Sequence, residues 1–254
     1  MPAPKNPIKA ALRGDGPALI GLWLSLASSY STEALAASGF DFLVVDGEHS
    51  PNDVPLVREQ LAMIATGPAP AVARPPAGET RLIKQYLDAG AQTLIIPMVE
   101  SAAQAEKLVR DVRFPPRGVR GVAGMTRASG FGRTPDYLRT ADDEICLIVQ
   151  IESRAGLENI EAIAAVDGVD ALFIGPADLG ASLGFLGRPD APQVQEAIED
   201  AIRRIAATGK APAILMLDEA RARRAVELGA KMVVVGLDVG LLVQGAAALL
   251  ARWR

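Results

Sequence analysis

Eight short runs rich in leucine and β-branched residues alternate along the chain with longer segments of helical periodicity. Such alternation is the mark of βα units around a parallel sheet. The runs read as strands are Leu19–Leu24, Phe42–Asp46, Ala71–Arg74, Thr93–Pro97, Cys146–Ile151, Ala171–Ile174, Ala213–Met216 and Met232–Val235. The helices expected between them are Ser31–Ala37, Asn52–Ala65, Glu79–Asp88, Ser101–Asp111, Ala155–Ala165, Ala191–Ala207, Asp218–Glu227 and Asp238–Arg252. Ser101 and Asp218 are suited to cap helix starts, and Gly39, Gly90, Gly209 and Gly229 to end helices ahead of a strand. Eight such units without a Gly/Ser linker point to a single (β/α)8 TIM barrel filling residues 1–254, a length usual for that fold. A doubly wound open sheet would want a phosphate-binding glycine fingerprint after its first strand, and none follows Leu24.

Scarce residue types narrow the chemistry. One cysteine, Cys146, excludes an intramolecular disulfide framework and a thiolate zinc site, and one histidine, His49, excludes sites needing two imidazoles. The 26 Lys and Arg against 30 Asp and Glu give a net charge of −4, which argues against a nucleic-acid partner. No apolar run approaches the roughly 20 residues of a membrane span. Lys5, Lys9 and Arg13 ahead of Ala18–Leu26 loosely mimic a signal peptide, but Asp15 interrupts the join and the stretch is needed as a strand. A cytoplasmic protein without a membrane partner is expected.

In a barrel the reactive groups stand at the C-terminal ends of the strands. That rule selects Asp46, Glu48 and His49 after the second strand, Arg74 after the third, Gln150 and Glu152 at the end of the fifth, and Gly175-Pro-Ala177-Asp178 after the sixth. Gln150 and Glu152 are two apart and so share a face. Glu152 and Asp178 leave adjacent strands at one rim, and paired carboxylates call for a cation or proton between them; oxygen ligands favour magnesium or manganese over zinc. Either acid could alternatively cap the next helix. His49, with Asp46 close enough to fix its tautomer, reads as a general base, and Arg74 as a clamp for a carboxylate or enolate oxygen, or else as an ion pair with Glu48 or Asp46. No lysine follows a strand end, so a Schiff base is not expected. The long arginine-rich segment from Arg113 to Arg139 reads either as a basic loop over the barrel mouth, drawing in an anion, or as a solvated loop at a subunit contact.

Taken together, Phe42-Leu-Val-Val-Asp46-Gly-Glu-His49-Ser-Pro-Asn52, Ala73-Arg74-Pro75, Leu82-Ile-Lys-Gln85, Gly90-Ala-Gln-Thr-Leu-Ile-Ile-Pro97-Met98-Val99, Phe114-Pro-Pro-Arg-Gly-Val-Arg-Gly121, Val149-Gln150-Ile-Glu152-Ser153 and Phe173-Ile-Gly-Pro-Ala-Asp-Leu179 resemble the HpcH/HpaI family of metal-dependent class II pyruvate aldolases. The resemblance runs from about Ile20 to the C-terminus. It implies reversible addition of pyruvate to an aldehyde, with a divalent cation (Mg2+, Mn2+ or Co2+) on Glu152 and Asp178 and no organic cofactor. His49 with Asp46 would form the catalytic dyad, Arg74 would bind pyruvate and steady its enolate, and Gln150 and the backbone at Ala177–Asp178 would position substrate. It further implies a homo-hexamer whose dimers exchange their last helix. The departures from the family pattern lie in Ala123–Gly132 and Leu215–Asp218, in the parts expected to read the aldehyde. Two other readings stay open on the same residues: a CoA-ester lyase of the malyl or citramalyl type, and a carboxylate-binding barrel without catalysis.

Overall fold

The computed structural model describes all 254 residues. Eight strands, β1 (Leu19–Leu24), β2 (Phe42–Asp46), β3 (Ala71–Arg74), β4 (Thr93–Ile96), β5 (Cys146–Ile151), β6 (Ala171–Ile174), β7 (Ala211–Leu215) and β8 (Met232–Leu237), pair in parallel in chain order, and β8 closes on β1. The helices are α1 (Pro7–Arg13), α2 (Ser29–Leu35), α3 (Val54–Ile64), α4 (Thr80–Asp88), α5 (Ala102–Val112), α6 (Tyr137–Glu144), α7 (Arg154–Glu158), α8 (Ile160–Ala164), α9 (Pro176–Ser182), α10 (Pro192–Ala207), α11 (Glu219–Glu227) and α12 (Asp238–Ala251). The expected TIM barrel is therefore the fold observed.

Alternation along each strand divides the core in two. Leu22, Leu43, Val45, Leu94, Leu147, Val149, Leu172 and Val233 face outward and pack under the helices. Trp23, Phe42, Val44, Val72, Ile95, Ile148, Phe173, Met232 and Val234 fill the interior. Gly21 belongs to that inner face, because a Cβ there would lie 2.2 Å from the Phe42 ring. The same alternation carries Asp46, Arg74 and Gln150 to the inner face at the C-terminal rim, which is how a strand pattern becomes a site.

Several boundaries differ from the sequence reading, each for a local reason. β4 stops at Ile96 because Pro97 cannot donate to the ladder. β7 starts two residues earlier than expected, at Ala211: Pro212 sits in register with Leu172, and its carbonyl accepts from Lys231 N. The expected helix 155–165 is two, parted at Asn159, whose side-chain amide donates to the carbonyls of Glu100 and Ala155. Ser101 and Asp218 cap α5 and α11 as expected, and Gly39, Gly90, Gly209 and Gly229 all take positive φ after helices.

Three helices escaped the sequence reading: α1, α6 and α9. α1 closes the bottom of the barrel, with Ile8 and Leu12 joining the interior cluster. Asn6 caps it and ties it down, its amide donating to Gln92 O, Thr93 Oγ1 and Glu144 O. The basic residues that mimicked a leader are part of this plug, with Lys9 and Arg13 both reaching Asp170.

For the arginine-rich segment, the reading as a loop over the mouth is corrected, and the solvated loop is the alternative left. It joins a helix to a strand, α5 to β5, and such connections lie at the bottom of a barrel, away from the mouth. Most of its arginines are engaged there. Arg117 pairs with Asp142 and Asp143, Arg120 with Asp88, and Arg139 with Asp136, while Arg127 donates to the carbonyls that end α3 and α4, Leu61 and Ala89. Within one chain this loop, including Ala123–Gly132, neither covers the mouth nor reads a substrate there. At the other extreme, α12 is buried only at Asp238 and exposes Leu241, Leu242, Val243, Leu249 and Leu250.

Candidate active site

A cavity of about 540 Å³ opens at the C-terminal rim of the barrel. Its inner wall carries Asp46, His49, Arg74, Gln150 and Asp178, and Trp23, Phe173, Leu215 and Leu237 give it apolar sides. No lysine lines it, which agrees with the expectation that no Schiff base forms.

Asp46 and Arg74 end neighbouring strands in direct register. Arg74 Nε donates to Asp46 Oδ1 at 2.9 Å and Nη2 to Oδ2 at 2.8 Å, a bidentate pair between two buried side chains. Nη1 lies 2.8 Å from Glu48 Oε2. That second approach is off the N–H direction, so Glu48 Oε2 makes an ion pair while lacking an aligned hydrogen bond. The guanidinium stacks on Trp23, 4.6 Å from the ring centre. Burial pushes the Asp46 carboxyl up, but the hydrogen bonds and charge of Arg74 outweigh it and hold the group below its ordinary range. For Glu48 burial wins, with the negative Asp46 and Asp178 adding to the rise against Arg74 and His49.

These contacts correct one expectation. Asp46 Oδ1 accepts from Arg74 and from Glu48 N at 2.9 Å, Oδ2 accepts from Arg74, and no hydrogen bond joins Asp46 to His49. The reason is register: Arg74 stands directly across the ladder from Asp46, whereas His49 lies beyond the strand end on an exposed turn facing the cavity. Asp46 orients the arginine. The ion-pair alternative for Arg74 is the arrangement found, with both Asp46 and Glu48.

Glu152 is held below the cavity floor. Met98 N donates to its Oε1 at 2.8 Å, and the Gln150 amide nitrogen donates to its Oε2. Met98, whose N–H makes that bond, adopts φ 57°, an uncommon conformation for a side-chain-bearing residue. Burial raises the Glu152 carboxyl, opposed by those two donors, and the nearby negative Glu48 and Asp178 raise it further. Gln150 is buried with its Oε1 unpartnered. Gly175 packs against both side chains: a Cβ there would stand 2.5 Å from Glu152 Oε2 and 3.0 Å from Gln150 Nε2. Asp178 is exposed in the first turn of α9, where the N–H groups of Ala177 and Asp178 have no backbone partner.

The donor set suits a hard divalent cation. Glu48, Glu152 and Asp178 concentrate negative charge, which a cation would offset. No group of three or more His, Cys, Asp or Glu side chains converges to form a closed metal site. Two carboxylates, with the remaining positions left to water and substrate oxygens, is the pattern of magnesium-type rather than structural zinc sites. Cys146 takes no part: it is fully buried, and burial pushes its thiol well up.

Sequence reasoning missed the outer rim of the cavity. Trp23 and Phe173 could have been found from strand alternation. Asp190, Gln195 and Arg221 come from the segment after α9, from α10 and from α11, and carry no local signal. Two further acids at strand exits are engaged elsewhere: Asp218 caps α11 through Arg221 N, and Asp238 is buried and accepts from Ser25 N and Leu26 N, stapling the exits of β1 and β8 together.

With that geometry in hand, known proteins give a consistent comparison. The family described as HpcH/HpaI aldolase/citrate lyase matches residues 19–245. A hydroxypyruvate/pyruvate aldolase of Deinococcus radiodurans is 54% identical over 98% of this chain and 90% of its own. A 4-hydroxy-2-oxo-heptane-1,7-dioate aldolase of Salmonella dublin is 54% identical over 98% of this chain and 95% of its own. Among solved structures, an HpcH/HpaI aldolase/citrate lyase family protein from Burkholderia cenocepacia superposes with a TM-score of 0.95 at 45% identity, covering 98% of this chain and 100% of that one.

Proposed function

The chain belongs to the HpcH/HpaI aldolase/citrate lyase family, and from that premise we propose how its cavity works as an active site. It is a carbon–carbon lyase that reversibly joins pyruvate to an aldehyde, giving a 4-hydroxy-2-oxo acid. The observation that carries the reading at residue level is the gathering of Glu48, Glu152 and Asp178 beside Arg74 and Gln150, at a cavity with no lysine.

Glu152 and Asp178 would hold the divalent cation, Mg2+, Mn2+ or Co2+. Such an ion would act as a Lewis acid on pyruvate and so make its methyl protons more acidic. The chain's own groups do the rest. His49, exposed in the cavity and without a hydrogen-bond partner of its own, takes a methyl proton. Arg74 has five N–H groups, of which two are hydrogen-bonded to Asp46 while Nη1 faces Glu48 as an ion pair; N–H groups left free serve the keto oxygen as it gains charge. Asp46 positions that arginine. The unpartnered Gln150 Oε1 accepts from a water or substrate hydroxyl, and the free N–H groups of Ala177 and Asp178 receive the pyruvate carboxylate. The methyl carbon then bonds to the aldehyde carbon, and His49 returns the proton to the new alkoxide. Cleavage runs the same steps backwards.

We place residues 1–254 in one barrel domain and the protein in the cytoplasm, a compartment in keeping with its one buried, unpaired cysteine. No helix is long and apolar enough to cross a membrane. The exposed apolar length of α12 supports a homo-oligomer, and the family resemblance gives the form we propose for it, a hexamer with this helix exchanged between neighbours. The test is product analysis: with pyruvate, an aldehyde and Mg2+ or Mn2+, a 4-hydroxy-2-oxo acid forms, and chelation stops it. Cleavage of malyl-CoA without any such product would establish the CoA-ester lyase instead.

A further inference from the structure

Asp238, the first residue of α12, is a buried carboxylate with no lysine or arginine within ion-pair distance. Donors of the chain hold it instead. Oδ1 accepts from Ser25 N at 2.8 Å, Ser25 Oγ at 3.1 Å and Val239 N at 2.7 Å, and Oδ2 accepts from Leu26 N at 3.2 Å. All but the Val239 bond come from the exit of β1, so a residue at the end of β8 fixes the backbone leaving the neighbouring strand. Ala27, next along that exit, adopts φ 50°, a conformation uncommon for a residue with a side chain and one that persists where its surroundings fix it.

The β1 exit in turn holds the turn that carries His49. Ser50, buried and next to His49 in the chain, donates from Oγ to the Ser25 carbonyl at 2.8 Å. The same Oγ accepts from the Asn52 amide at 3.3 Å, and that amide also donates to Asp46 O at 2.6 Å. The His49 side chain is exposed to the cavity and bonds to no group of the chain, so its place follows from its backbone. We infer that Asp238 and Ser50 are positioning residues for His49: Asp238 sets the Ser25 carbonyl, and that carbonyl sets the histidine turn through Ser50. This role rests on the reading of His49 as the base and deepens it by naming what fixes the base. A buried charge without a counter-ion is costly, and here its bonds confine the β1 exit to one geometry. Arg74, Glu152 and Asp178, the groups assigned to pyruvate and the cation, make no bond to Ser25, Ser50 or Asp238. A displaced base therefore lowers the rate of proton removal and leaves binding intact; a misplacement of about 1 Å can cost roughly a hundredfold. The competing account is purely structural, with Asp238 closing the seam between β8 and β1 and Ser50 filling a turn.

Deuterium exchange into the methyl group of pyruvate, without any aldehyde, reads the base directly. It is measured with Mn2+ in the wild type, Ser50→Ala, Asp238→Asn, the double variant and His49→Gln. Each of the two single positioning variants should slow exchange at saturating pyruvate roughly 10- to 100-fold, while the KM for pyruvate and the half-saturating Mn2+ concentration stay within about twofold. The double variant should be no slower than the slower single one, because both substitutions cut one chain of bonds. Losses that multiply, or that fall on KM and Mn2+ in place of the exchange rate, are those expected of two independent structural residues and overturn the inference. So does Ser50→Ala exchanging within about threefold of the wild type, whether or not Asp238→Asn folds. No exchange in the wild type, or undiminished exchange in His49→Gln, overturns the reading of the base and this role with it. Slow exchange in His49→Gln beside fast exchange in Ser50→Ala removes the positioning role alone.

Discussion

Gly175→Ala should loosen the cation site without replacing a ligand. The backbone at Gly175 has φ −100° and ψ 94°, open to any residue, so the only change is the added methyl group. That Cβ would stand 2.5 Å from Glu152 Oε2, about 0.9 Å short of the 3.4 Å at which contact becomes ordinary, and 3.0 Å from Gln150 Nε2. A carboxylate on a surface would swing away at little cost. Glu152 is buried and held at both oxygens, by Met98 N and the Gln150 amide, so it moves only by giving up one of them. Disturbing the groups that orient a ligand costs about 10- to 100-fold in metal affinity. Overpacking of a tight site should lower stability by roughly 1–3 kcal/mol. Titration of Mn2+ into wild type and variant, followed by calorimetry and by the cation dependence of aldol cleavage, gives the ratio. A variant that binds Mn2+ within about threefold of the wild type would refute the placement of Glu152 as a ligand held under Gly175.

Asp46→Asn should destabilise the fold by about 3–5 kcal/mol, the cost of taking from Arg74 its buried bidentate partner, and lower the melting temperature by roughly 6–20 °C for a chain of this size. An unchanged melting curve would contradict the bidentate pair. The same pair sets a pH dependence. The folded-state carboxyl lies below its ordinary range, so its contribution is complete above about pH 4, where the unfolded group is ionised, and is lost as pH falls through the lowered folded value. The stability gap between wild type and Asp46→Asn should therefore shrink in acid, and a gap that widens there would reverse the sign of the argument. Leu242→Asp with Leu249→Asp on α12 should reduce the particle mass in light scattering, and an unchanged mass would show that this face does not carry the assembly.

Periodicity in the sequence was enough to recover all eight strands and their closure, because alternation and helix-ending glycines are local signals. It also brought Asp46, Arg74, Gln150 and Glu152 to one rim, since strand-end position is itself a coordinate in this fold. What it could not supply was partner choice. Asp46 is three residues from His49 but directly across the ladder from Arg74, and register decided between them. Of the two readings open for Arg113–Arg139, its charge suggested the loop over the mouth; the rule that αβ connections lie at the bottom of a barrel removes that one and leaves the solvated loop. α1 was overlooked because two turns carry too little periodicity, although Asn6-Pro7 is a capping signal. Asp190, Gln195 and Arg221 meet only in three dimensions.

The central claim, that Glu152 and Asp178 hold a cation which lets this cavity take a proton from pyruvate, is tested most directly by deuterium exchange into pyruvate's methyl group, followed by NMR without any aldehyde. The wild type should exchange only with Mg2+, Mn2+ or Co2+ present, and Glu152→Gln and Asp178→Asn should each slow it by at least about a hundredfold. Exchange that continues undiminished after chelation, and in Glu152→Gln, would contradict the account.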